Sequence, residues 1–208
     1  MGAVDEPRVA RKWPGSTIVC AASGPSLTSA DLALVRQFPL VAVNDVYRIA
    51  PWADALVAAD ASWWHKHEGV QGFAGEKWSI EHSTWARYRE RWPDVKRLRH
   101  TGAEGIETDP TALRSGQNSG ALAVGLAVHY GASRILLLGY DMGHAANGPS
   151  HFFGEHHGSL RQRSPYSTFI AKFQTMVAPL RALGITVINC SRETRLTCFP
   201  RQSLESAL

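Results

Sequence analysis

The feature that most limits what this chain can fold into is a set of short runs that are apolar at nearly every position. Residues 16–22, 39–43, 55–59 and 134–139 are such runs, each of strand length. A strand with one wet face alternates apolar and polar residues. A run apolar throughout is buried on both faces, as in a parallel sheet covered by helices on each side. Each run also stops at residues suited to turns or polar contacts: Ser23-Gly24-Pro25-Ser26, Asn44-Asp45, Asp60 and Tyr140-Asp141.

Helix signals fall between these runs. Thr28 and Asp31 have capping-box spacing ahead of Leu32, Leu34 and Val35. A helix of small residues is expected over 121–130, stopped by Gly131. Another is expected over 166–183, leading through Gly184 into a last strand at 186–189. A helix over 83–91 and a strand over 95–99 are weaker readings. Strands alternating with helices predict an α/β chain with a mostly parallel sheet and helices on both faces, of Rossmann-like build.

With 208 residues the chain fits one domain. The reading divides it into a flexible arm at 1–15, the domain proper at 16–200 and a tail at 201–208. Within the domain, about 62–111 reads as an irregular insertion holding Trp63, Trp64, Trp78, Trp85 and Trp92. An apolar content of 44% is enough for a sizeable core. No apolar run approaches the ~20 residues of a membrane helix, so no span is expected. Residues 1–14 lack the apolar centre of a secretion signal. Cys20, Cys190 and Cys198 have no paired metal spacing; Cys20 and Cys190 read as small buried hydrophobes, and the cysteine usage fits a cytoplasmic location. A net charge of +4 suggests an anionic partner. The one basic concentration, from Arg87 to Arg99, reads either as phosphate-contacting or as a solvated face.

Ligands of open α/β sheets sit at the carboxyl ends of the strands, so the chemistry is sought there. The turn Gly24-Pro25-Ser26-Leu27 joins a strand to a helix, where unpaired N–H groups favour an anion. It has neither the P-loop nor the GxGxxG spacing. The segment 115–120 is a second such device: Ser115, Gly116, Asn118 and Ser119 precede a helix of small residues, and the polar groups are harder to explain by packing than the glycines. Asn44, Asp45, Asp60 and Asp141 follow their strands directly, as turn formers or as ligand contacts. Asn44 suits a base or ribose; Asp141 suits a ribose hydroxyl, a proton or a metal. His144, His151, His156 and His157 crowd a loop that is read as an active-site flap supplying general acid–base chemistry, as ordinary surface, or as a metal site. Their spacing predicts no structural zinc site. Tyr166 is a candidate proton donor or phosphate ligand. Trp63-Trp64 reads as core or interface by default, with base stacking as the alternative, because adjacent residues seldom face one core.

Taken in order, Gly24-Pro25-Ser26-Leu27, Val43-Asn44-Asp45, Ser115-Gly116 with Asn118, and Leu137 to Asp141 resemble a broad Rossmann-like family. It includes bacterial single-domain sialyltransferases, flagellin-modifying transferases and an archaeal 6-hydroxymethylpterin pyrophosphokinase. The tail, from Gly184-Ile185 through Val187 to Ser191 and on to Phe199-Pro200, is similar to uncharacterised phage and prophage members. The resemblance implies that Gly24, Pro25, Ser26, Asn44, Ser115 and Gly116 line the nucleotide of an activated sugar. Asp60 and Asn118 are added as contacts from their positions. The implied activity is glycosyl transfer from a CMP- or UDP-type donor to a hydroxyl, with a surface glycan or a modified base in phage DNA as acceptor. The sialyltransferases use a histidine at the start of the last helix. Here Tyr166 and Ser167 stand there, so His151 and His156, with Asp141, are the catalytic candidates. Two alternatives remain: an ATP- and magnesium-dependent pyrophosphokinase in which Asp60 and Asp141 hold the metal, and a non-catalytic module binding nucleotide or DNA.

Overall fold

A computed structural model describes residues 6–88, 90–143 and 165–208. The apolar runs become strands β1 (Thr17–Ala21), β2 (Leu40–Val43), β3 (Ala55–Val57), β7 (Arg134–Leu138) and β8 (Thr186–Asn189). With β4 (Glu76–Ile80), β5 (Val95–His100) and β6 (Ala112–Leu113) they form one eight-stranded sheet in the order β6-β5-β4-β3-β2-β1-β7-β8. Every named strand pairing is parallel. The fold is α/β and Rossmann-like.

The two-sided burial expected of continuously apolar strands is visible residue by residue. In β1, Ile18 and Cys20 enter one core cluster while Val19 and Ala21 enter the other. In β7, Ile135 and Leu137 face the first, Leu136 and Leu138 the second. Helices α3 (Ser119–Tyr130) and α4 (Tyr166–Ala182) supply residues to the first cluster. The second is closed by α1 (Ser29–Leu34), α2 (Ala61–Lys66), a 3-10 turn at Asn44–Arg48 and α5 (Leu204–Ala207). The Thr28–Asp31 capping box is formed in both directions. Gly131, in the left-handed conformation, ends α3. No helix among the described residues is long and apolar enough to cross a membrane.

Three segments differ from their sequence reading. Residues 6–15 do not fray: Val9 is buried, its N–H donates to Pro110 O, and Trp13 packs on Tyr130 with ring centroids 4.7 Å apart. The stretch 62–111 is not an irregular insertion but carries β4 and β5 into the sheet. It hides because β4 has a lysine on a core face. Buried Lys77 donates from Nζ to Gly69 O (2.8 Å) and pairs with Asp94, which makes its burial tolerable. The helix expected over 83–91 is only a 3-10 turn at Ser83–Arg87. The tail is also anchored: Arg201 bridges Asn189, and Leu204 and Ala207 of α5 are buried.

All five tryptophans of that stretch are buried, Trp63 and Trp64 in the same cluster. Adjacent positions on a helix point about 100° apart. Their indoles meet edge to face at 5.1 Å, so one short helix wedges both. Trp64 Nε1 donates to Ala58 O and Trp63 Nε1 to Asp45, each at 3.0 Å.

Candidate active site at the β1/β7 switch point

The strand order reverses at β1: β2 lies on one side of it and β7 on the other. Two loops leaving adjacent parallel strands for opposite ends of the sheet open a crevice between them, the usual ligand position in such sheets. Here those loops are 22–28 after β1 and 139–143 after β7.

Asp141 joins them. Its carboxylate accepts from Ser26 N–H and from Ser26 Oγ–H, both at 2.7 Å. The approach is so close that only glycine fits at position 24. A Cβ there would lie 2.5 Å from Asp141 Oδ1 and would also overlap Gly139 O. Asp141 is buried, and burial lifts its carboxyl above the usual range. The two Ser26 bonds pull the other way, while Glu193 adds to the rise. With both oxygens engaged by Ser26, Asp141 acts as a brace of the turn. Tyr140, just before it, is fully buried and donates from its hydroxyl to Gly120 O (3.0 Å).

The second glycine-rich device faces the same edge. Ser119 Oγ accepts from Ala59 N–H (3.0 Å), so the start of α3 is tied to the end of β3, and Tyr140 ties it to β7. Asn118 caps α3 by accepting from Ala121 N–H (2.9 Å), and its Nδ2 donates to Gly116 O (2.7 Å). Gly116 is left-handed (φ 53°), and a Cβ there would lie 2.2 Å from Ala121 Cβ. Ser115 Oγ accepts from Gln117 N–H (3.2 Å). The polar groups of 115–119 therefore build the turn itself, an explanation that residue spacing did not suggest.

The strand-end Asx residues divide. Asn44 is left-handed at the end of β2 (φ 51°), a conformation uncommon for residues other than glycine, which asparagine tolerates best. Asp60 is exposed at the start of α2 and makes no capping bond. Asp45 is different: it is buried, takes the Trp63 indole N–H and pairs with Arg48 Nε at 3.1 Å, so it fixes the 3-10 turn against α2. Tyr166 opens α4, half-buried, its ring edge-on to Phe169. His144, His151, His156 and His157 lie outside the described residues.

The fold matches a known one. The chain is similar in fold to the MAf glycosyltransferase from Magnetospirillum magneticum AMB-1. The TM-score is 0.67 at 16% sequence identity, covering 96% of this chain and 35% of that one. The chain thus spans about a third of that protein's length. No family model matches the sequence, and no curated protein does.

Two features of the edge lay outside the sequence reading. His82, after β4, bonds through Nε2 to Ala59 O (2.9 Å) and so helps hold the end of β3. The loop after β8 reaches back across β7: Arg195 N–H donates to Asp141 O (2.8 Å), and Thr194 Oγ1 donates to Tyr140 O (2.7 Å). Nothing in the spacing of residues after β8 says which strand they will meet.

Proposed function

We propose that this chain is the nucleotide-binding part of a glycosyltransferase-like enzyme that moves a sugar from a CMP- or UDP-type donor to a hydroxyl acceptor. The observation that carries the reading is the braced crevice at the switch point. Ser26 is held from β7, left-handed Asn44 stands one strand away, and the α3 turn lies across the same edge. The fold likeness to a glycosyltransferase supports the same class of chemistry.

In this reading the base and ribose lie toward Asn44 and Asp60, and the phosphate lies over the Gly24–Ser26 turn and the start of α3 (Ser115, Gly116, Asn118). The sugar carbon is displaced in line by an acceptor oxygen, and the nucleotide departs with the bonding electrons. Ser115 and Ser119, whose hydroxyls only accept among the described residues, donate to the charge that grows on the phosphate, while Ser26, both of whose donors go to Asp141, shapes the turn. His151 or His156 takes the acceptor's proton, and Tyr166 is the proposed donor toward the leaving phosphate. Asp141 serves by positioning Ser26. All three cysteines are free and two are buried, which fits the proposed cytoplasmic location.

The test is thermal unfolding against CMP, UDP and ATP, each with and without magnesium. A ligand at about 100 times its dissociation constant adds about 2.7 kcal/mol. Stabilisation by a pyrimidine nucleotide without magnesium is the expected result and names the donor to try in transfer assays. Stabilisation by ATP only with magnesium replaces this reading with pyrophosphoryl transfer. No shift with any nucleotide overturns both.

A further inference from the structure

Buried polar machinery is concentrated beneath the loop that follows β8. Asn189, fully buried, donates from Nδ2 to Thr194 Oγ1 and Leu196 O (both 3.1 Å), and its Oδ1 accepts from Ser191 N–H (3.0 Å). Ser191 Oγ in turn accepts from Tyr140 N–H (2.7 Å). Such a network holds a loop in one place, because any displacement strands several buried donors and acceptors at once. What it holds against the switch point is the backbone of Arg195, bonded to Asp141 O.

The Arg195 side chain lies along the backbone at Gly143. A Cβ on Gly143 would sit 3.2 Å from Arg195 Nε and 3.5 Å from its Cζ, so the missing side chain leaves room for the guanidinium. Other arginines leaving the carboxyl ends of strands are occupied. Arg48 pairs with Asp45, Arg114 with Glu107, and Arg192 with Asp31. Arg195 is exposed, and among the described residues its guanidinium meets no carboxylate, ring or other acceptor. A cation with a fixed root, a cleared bed and unused donors beside a ligand crevice is built to receive an anion from outside the chain.

We infer that Arg195 is the receptor for the phosphate of the donor's leaving nucleotide, presented to the β1/β7 crevice by the loop after β8. The assignment rests on the nucleotide reading above, and it adds the charge that Ser26 and the backbone amides do not supply. Arg195 binds and neutralises; it transfers no proton, because a guanidinium stays charged.

The experiment compares the parent protein with R195A and R195K in binding CMP, UDP and ATP, the matching nucleosides, and inorganic pyrophosphate. R195A should weaken the preferred nucleotide and pyrophosphate by about 10- to 100-fold, the worth of one or two charge-assisted hydrogen bonds. Nucleoside affinity and melting temperature should not change, and R195K should fall between. Undiminished nucleotide binding by R195A overturns the assignment and leaves the nucleotide reading standing. Equal losses for nucleotide and nucleoside overturn it too, since the side chain would then be acting on the site's shape. Parent protein that binds no nucleotide overturns the nucleotide reading, and the assignment falls with it.

Discussion

Two turns at the same edge of the sheet, 24–27 and 115–120, are both glycine- and serine-rich strand-to-helix connections, yet they are held in different ways. The second is made mostly from itself. Asn118 caps its own helix and bonds back to Gly116 O and Ser115 serves Gln117, while Ser119 Oγ and Gly120 O are its side-chain-mediated ties to other strands. The first is made by a residue 115 positions away in sequence: Asp141 takes both donors of Ser26. A self-capped turn keeps its shape wherever its helix docks. A turn braced from the neighbouring strand has its shape only when β1 and β7 are in register, which couples that part of the site to the assembled sheet.

The largest expected effect tests this coupling with a single methyl group. Gly24→Ala drives a Cβ into Gly139 O and the Asp141 carboxylate and should cost about 3 kcal/mol or more. Gly116→Ala, at a left-handed position whose Cβ would lie 2.2 Å from Ala121 Cβ, should cost at least as much, but its clash stays within its own turn and helix and should leave the 24–27 turn and its nucleotide contacts in place. Urea unfolding of the pair measures both. A Gly24→Ala protein that keeps the parent's stability would break the distinction.

Next in size is Asp141→Asn, which leaves one Ser26 donor without an acceptor and should cost about 1–2 kcal/mol at neutral pH. Its pH dependence carries a sign. The folded carboxyl titrates above its unfolded value, so the parent should gain on Asp141→Asn as pH falls through the raised value, the gain being complete below about 3.9. Asp31 supplies the opposite case. Burial alone would raise it, but bonds from Arg192 and Thr28 outweigh burial and hold it below the usual range. The parent's advantage over Asp31→Asn should therefore be present above about pH 4 and shrink as pH falls through the lowered value. Melting curves of the three proteins between pH 3 and 7 check both slopes. Parallel slopes would mean that the Ser26 brace and the capping box see the same environment.

The smallest effect belongs to the self-made turn. Asn118→Ala should cost about 1 kcal/mol, the usual worth of a helix cap, and should leave the 24–27 turn intact. If it instead lowered nucleotide affinity as strongly as Asp141→Asn does, Asn118 would be a ligand contact as well as a cap.

Local signals were legible wherever one segment contains its own explanation. The runs at β1, β2, β3, β7 and β8 are apolar at nearly every position, and that alone specifies strands covered on both faces. The Thr28–Asp31 box and the Gly131 stop fixed helix ends for the same reason. β4 was not legible, because Lys77 breaks its apolar pattern and is made tolerable only by Gly69 O and Asp94 from other segments. Asn44, Asp45 and Asp60 looked alike as strand-end residues. Only packing separated Asp45, taken up by Trp63 and Arg48, from the two that stay at the edge.

By itself the sequence determined the strands, the principal caps, and that polar and glycine-rich turns would gather on one edge of a parallel sheet, because burial pattern and turn chemistry act over a few residues. The tertiary structure decided which turns meet: that Asp141 braces Ser26, that the β8 loop crosses β7 to set Arg195 beside it, and that Gly24 must stay bare. Those are contacts between segments far apart in the chain. Their geometry follows from strand order and register, which no local pattern encodes.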